Sequence, residues 1–263
     1  MERLIILAAA ILLILTLALA QTQEKKSDKP GKVEQQNSNL TSSQDPYVIA
    51  PQAYKREFEN EQVRVTRVRY EPREIIKSHD HPKLPTVYVY LSDSGPVRFT
   101  HTGEEKFVTV RPAVKSGGFR LGRAVNETHE VESLSDQPSA FLRVELKDLA
   151  VDGSTFRGRF PPETNQTAEN SERIGFENQQ LRIVRVTCSA RSTCKLISQT
   201  SPYLLVALTS SELKTAINNA GLSNLKMESG QTIWVESGDR LRLENPGKTT
   251  VKFLRIELKV KSR

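Results

Sequence analysis

The chain has 263 residues with 38 Lys and Arg against 31 Asp and Glu, a net charge of +7, and only four His and two Cys. That length admits one large domain or two of ordinary size. The basic excess is scattered among apolar and acidic neighbours, as at Arg64, Arg67 and Arg69. No basic stripe carries interleaved aromatics, which argues against nucleic-acid binding and leaves a mild attraction for anions.

The first twenty residues, MERLIILAAAILLILTLALA, place Arg3 before an unbroken apolar run that ends in Ala18-Leu19-Ala20. This pattern predicts a secretory signal over 1–20, cleaved before Gln21, and a secreted or periplasmic location. The alternative is an uncleaved N-terminal anchor, for which Leu4 to Ala20 falls a little short of a relaxed span of about 20 residues. No later segment is apolar enough to cross a membrane. Residues 21–50 are rich in Gln, Ser, Lys and Asn and almost free of aliphatics before Val48, which predicts a disordered linker.

Beyond residue 50 the chain repeats itself. FENEQVRVTRVRY (Phe58–Tyr70) returns as FENQQLRIVRVTC (Phe176–Cys188), 118 residues later. ESLSDQPSAFLRVELK (Glu132–Lys147) returns as ENPGKTTVKFLRIELK (Glu244–Lys259), 112 residues later. Two copies follow, in domains 51–150 and 171–263, with residues 151–170 as a linker marked by Gly, Pro, Asn and Ser. Both read as strands. FLRVELK alternates Leu142, Val144 and Leu146 with Arg143, Glu145 and Lys147, the pattern of a half-buried strand. TVYVYL and YLLVAL are β-branched, aromatic and aliphatic runs, and GEEKF, KSGGF, ESGD and NPGK supply turns. One segment stands apart: SSELKTAINNAG (Ser210–Gly221), opened by Ser and closed by Gly, predicts a helix. The fold class is therefore all-β, a tandem pair of small barrels or sandwiches made by internal duplication.

Two of the four histidines fall in KSHDHPKLPT. On a strand, His79 and His81 project from one face and Asp80 from the other. Neutral imidazoles so placed can chelate a divalent metal at about 2.0–2.1 Å, given a third ligand from elsewhere. His129, in GRAVNETHEVES, is the candidate; the plain alternative is a chance spacing of polar residues.

These residues resemble the motifs of the cupin superfamily, and the duplication that of a bicupin. The His-x-His of the first cupin motif matches His79 and His81, and the second-motif histidine matches His129 after 47 intervening residues. VYVYLSDSG matches the strand and turn that follow the first motif. The resemblance implies two cupin-like jelly-roll barrels, the first holding a divalent ion (Fe, Mn, Zn or Ni) through His79, His81 and His129. It also implies a degenerate second barrel, where the same positions fall on Leu196, Ser198 and Leu241. Departures are plain. Pro85 or Thr86 occupies the family's glutamate position, Ser133 replaces its asparagine, and Arg73 stands at the leading glycine of the first motif. Ala124 and Asn126 replace its Pro-x-Gly, where Asn126 can still supply a left-handed turn. Three neutral imidazoles leave the ion its full charge, which favours a small anionic organic ligand. The chemistry implied is that of an oxygenase, isomerase or lyase; the alternative is a non-catalytic small-ligand or sugar-binding or structural barrel. A homodimer is an open option.

Three further expectations remain. His101, beside a hairpin turn, reads as a rim or surface histidine, or else as a substrate or outer-shell contact. Tyr88, Tyr90, Phe99 and Phe119 read as core, or as the lining of a cavity. Cys188 and Cys194, in CSARSTC, predict a disulfide across a tight hairpin worth about 2 kcal/mol, ahead of free thiols or a metal pair. It would staple the second copy where metal holds the first.

Overall fold

The computed structural model describes residues 44–104, 106–149, 153–164, 169–196 and 200–259. The predicted signal and residues 21–43 of the predicted linker lie outside them, as does Ser198. Order begins earlier than the composition of 21–50 implies. Pro46–Ile49 form a single turn, α1, whose N-cap Asp45 accepts the Tyr47 amide at 2.8 Å. The Tyr47 hydroxyl then bonds Thr66 Oγ1, and Ala50 and Ala53 are buried. A few apolar contacts and a cap suffice to dock so short a segment.

In the N-terminal half, alternation produces two antiparallel sheets. The first runs β1 (Tyr54–Glu59), β2 (Val63–Tyr70), β9 (Ser139–Leu146), β4 (Thr86–Tyr90), β7 (Phe119–Gly122), β10 (Gly158–Phe160). The second runs β3 (Ile75–His81), β8 (Glu127–Ser133), β5 (Val97–His101), β6 (Phe107–Arg111). The C-terminal half repeats the order. Its sheets are β11 (Ser171–Glu177), β12 (Leu181–Cys188), β19 (Val251–Leu258), β14 (Tyr203–Ala207), β17 (Thr232–Val235), and β13 (Ser192–Thr193), β18 (Leu241–Asn245), β15 (Ser211–Ile217), β16 (Ser223–Met227). Irregularities repeat too. A register shift at Arg56/Phe58 has its twin at Ile174/Phe176. Arg73 (φ 58°) and Arg191 (φ 54°), 118 residues apart, both take the left-handed conformation. The special backbone therefore belongs to Arg73, where the cupin motif has glycine. Asn126, which is able to supply a left-handed turn, is not among the positive-φ residues.

Packing corrects the reading of FLRVELK as half-buried. Leu142, Val144 and Leu146 join Ile183, Leu254 and Ile256 in one core between the halves. The opposite face is buried as well, with Arg143 at 5% and Glu145 at 3% exposure. Its charges point into the first barrel rather than to water. The second barrel is packed mainly with apolar side chains, among them Leu205, Leu213, Leu241 and Phe253, beside a buried Arg255–Glu257 pair.

Two predicted boundaries change. The segment 151–170, expected to be a plain linker, contributes β10, which pairs with β7. Phe156 is fully buried there and Phe160 stacks on Phe119 at 4.5 Å, so its aromatics fasten it to the core. The helix expected over Ser210–Gly221 is instead the hairpin β15–β16. β15 pairs on one side with β16 and on the other with β18, and Leu213 faces the core while Lys214 faces out. A twelve-residue helix is marginal alone, and two flanking ladders override its propensity. Asn218, at φ 56°, makes the turn and is anchored by Asp239 and the Arg240 amide.

Candidate metal centre

β3 and β8 bring the three predicted ligands together. His79 lies directly opposite His129 in their register, and His81 opposite Glu127, after a register shift between Ile76 and His79. The period of two puts His79 and His81 on one face; the neighbouring strand supplies the third ring. Ring centroids are 4.9 Å apart for His79–His81 and His79–His129, and 5.1 Å for His81–His129. All three residues are buried, at 0%, 6% and 2% exposure.

The donor set fits a metal ion. One ring nitrogen from each histidine lies within 4.8 Å of the others. Bonds of about 2.1 Å at tetrahedral or octahedral angles set the donor atoms roughly 3.0–3.4 Å apart, so the rings must draw in toward one another to close on an ion. His79 Nδ1 donates to the Lys77 carbonyl at 2.8 Å, which fixes its proton and leaves the Nε2 lone pair facing inward. Tyr54 Oη sits 2.9 Å from that nitrogen. His129 Nδ1 is buried with no partner among the described residues, a cost that a bound ion would relieve. Burial holds all three imidazoles below the ordinary histidine range. The Arg143 charge adds to this at His81, and His79 and Arg111 add to it at His129. The rings are therefore neutral at physiological pH, the form that binds metal.

Around them lies a charged shell that the sequence did not disclose. Glu127 is 3.6 Å from Arg143 and 3.9 Å from Arg111. Arg143 donates to Glu145 at 2.9 Å and to Tyr88 Oη at 3.0 Å. Burial works against the Arg143 charge, but Tyr88, Glu145 and Glu127 outweigh it and raise its pKa. Tyr54 and Tyr70 meet at 3.2 Å, and burial pushes Tyr70 up to about 12. The one available signal was the Arg-x-Glu pair present in both copies, since Arg255 and Glu257 are likewise buried and bonded at 2.6 Å.

The other expected residues sort as follows. Thr86, at the family's glutamate position, spends its hydroxyl on the Leu84 carbonyl at 3.0 Å. His101 is opposite His129 across β5–β8, half-buried and stacked on Phe107 at 4.1 Å, which places it at the rim. Tyr88, Tyr90 and Phe99 line a cavity beside the histidines, whereas Phe119 belongs to the core between the halves. In the second barrel, Leu241 is buried and Leu196 packs against the apolar filling. Cys188 and Cys194 are joined, with Cα atoms 4.7 Å apart.

No family model and no curated protein matches the chain. Solved structures do match, at low identity. AerE from Microcystis aeruginosa is 11% identical, with 79% of this chain and 98% of that chain covered and a TM-score of 0.57. A putative glyoxylate-induced protein from Pseudomonas aeruginosa is 14% identical, with 77% of each chain covered and a TM-score of 0.54. Oxalate decarboxylase from Bacillus subtilis is 13% identical, with 76% and 68% covered and a TM-score of 0.53. At these identities the likeness is one of fold. The chain has a bicupin-like fold, all-β and jelly-roll in each half, and its three buried histidines can bind a metal.

Proposed function

We propose that this protein is an exported bicupin that holds a divalent ion through His79, His81 and His129 and acts on a small anionic organic molecule as an oxygenase, isomerase or lyase. The observation that carries the reading is the contrast between the barrels. One directs three neutral, buried imidazoles to a common point; its duplicate has Leu196 and Leu241 at two of the corresponding positions, packed with other apolar side chains. Export is supported by the signal-like first twenty residues and by the pairing of the only two cysteines.

A bound ion would supply Lewis acidity, or oxygen activation if it is redox-active. Imidazole donors suit Zn, Fe, Ni and Cu alike, and one matching structure of Bacillus subtilis oxalate decarboxylase concerns Mn(II) centres, so manganese joins the panel to test. The chain's own groups have definable roles. The three imidazoles bring no negative charge, so an anionic ligand would complete the balance. Glu127, opposite His81, and Tyr54, at His79 Nε2, are placed to hold or move a proton. The second reading, a non-catalytic ligand-binding barrel with a vestigial site, is favoured by one observation: Pro85 and Thr86 leave the family's carboxylate ligand absent. Metal content separates the two. Purified wild type is expected to carry near-stoichiometric metal that His79→Ala and His129→Ala lose, whereas metal-free protein in every preparation would reject the metal reading.

A further inference from the structure

The cavity beside the histidines has mainly apolar walls with positive charge set into them. It measures about 40 Å³, and among the described residues three arginines and no carboxylate line it. The Arg111 guanidinium lies over the Phe99 ring and that of Arg120 over Tyr88, each with its central carbon 3.9 Å from the ring centroid. Stacking fixes the plane of a guanidinium and leaves its edges to form hydrogen bonds. At Arg120, Nε and Nη2 are both buried and have no partner among the described residues. These two nitrogens carry the parallel N–H bonds on one side of the group, the fork that matches the two oxygens of a carboxylate. Leaving such charged donors buried and unpaired is costly. Arg111 does not relieve the excess, since its ion pair with Glu127 is stretched to 3.9 Å.

The fold itself does not require this arrangement. In the second barrel the residue that corresponds to Arg120 is Ile233, paired with Leu205 where Arg120 is paired with Tyr88. We propose that the cavity is a binding site for a small carboxylate toward which the Arg120 guanidinium turns its buried Nε and Nη2 edge, with Arg111 as the second positive charge. The volume limits the ligand. One water-sized group needs about 10–15 Å³ by this measure, so the space suits roughly three or four such groups. Phe99 lines the cavity and its ring is 5.2 Å from that of His129. Tyr70 lines it too, and reaches His79 through Tyr54 by contacts of 3.2 and 2.9 Å. Use of the site to present a substrate to the metal rests on the function proposed above; carboxylate binding does not.

The test titrates ¹³C-labelled acetate, followed by NMR line broadening, into metal-free protein, with acetamide as the neutral analogue of equal size. Acetate is expected to bind saturably and acetamide about tenfold more weakly or worse, the discrimination of one charged hydrogen-bonded pair. Arg120→Met, which keeps the stem over Tyr88 but removes the fork, is expected to weaken acetate about tenfold or more. Arg120→Lys, which keeps charge and fold without the fork, is expected to fall between. The protein is metal-free throughout, so a failure of the metal reading leaves these outcomes unchanged. Absence of saturable acetate binding, equal binding of acetamide, or wild-type affinity in Arg120→Met would overturn the assignment.

Discussion

Arg143→Leu tests the inward orientation of the charged face of β9. As a solvent-facing residue of an exposed strand face, Arg143 would cost within about 0.5 kcal/mol to replace. Buried at 5%, it donates to Glu145 and Tyr88 and pairs with Glu127 at 3.6 Å. Removing one partner of a buried pair costs about 3–5 kcal/mol, because the other charge is left without compensation. Glu145 keeps a 3.3 Å contact with Arg64, which puts the expected loss near the low end, about 3 kcal/mol. For a folded region of this size that is a fall in Tm of roughly 6–12 °C. Replacing both partners by apolar residues is often neutral, so Arg143→Leu/Glu145→Leu is expected to recover much of the loss. Urea unfolding at pH 7 of the two single variants and the double variant gives the coupling directly. Additive effects of under about 0.5 kcal/mol each would refute the inward orientation of these side chains.

Other outcomes follow from the same structure. A structural zinc with four ligands is worth about 10–16 kcal/mol, so losing one ligand in His81→Ala should weaken metal binding by roughly 10²–10³-fold, read by competition with a chelator. In metal-stripped protein the three histidines have folded pKa values below the 6.5 of the unfolded chain. The unfolded state therefore takes up protons first as pH falls, and stability is full above pH 6.5 and lost below it. Each histidine adds at most about 1.4 kcal/mol per pH unit, and flat stability between pH 6.5 and 5 would contradict their burial as neutral rings. Reducing Cys188–Cys194, which closes a loop of sequence separation 6, should cost about 2 kcal/mol and lower Tm by roughly 4–8 °C; an unchanged melting curve would show that the link is not a staple.

Local chemistry made much of this protein legible. Period-two alternation marked its strands, two sequence offsets exposed the duplication, and the His-x-His spacing put two imidazoles on one face because a pleated strand leaves no other choice. Cysteines six residues apart around a turn had a short reach to each other. What remained hidden depends on neighbours distant in sequence. Leu142 and Arg143 alternate in the same way whether the polar face meets water or a barrel interior; only the apposition of the two halves makes the leucine face an interface and turns the arginine inward. Ser211–Ile217 carries residues a helix would accept, and became a strand because β16 and β18 offered ladders on both sides. Tyr54, Arg111, Arg120 and Glu127 carry no motif. Their importance comes from where the sheets set them down around the histidines, since charge and burial at a site are sums over the whole surrounding fold.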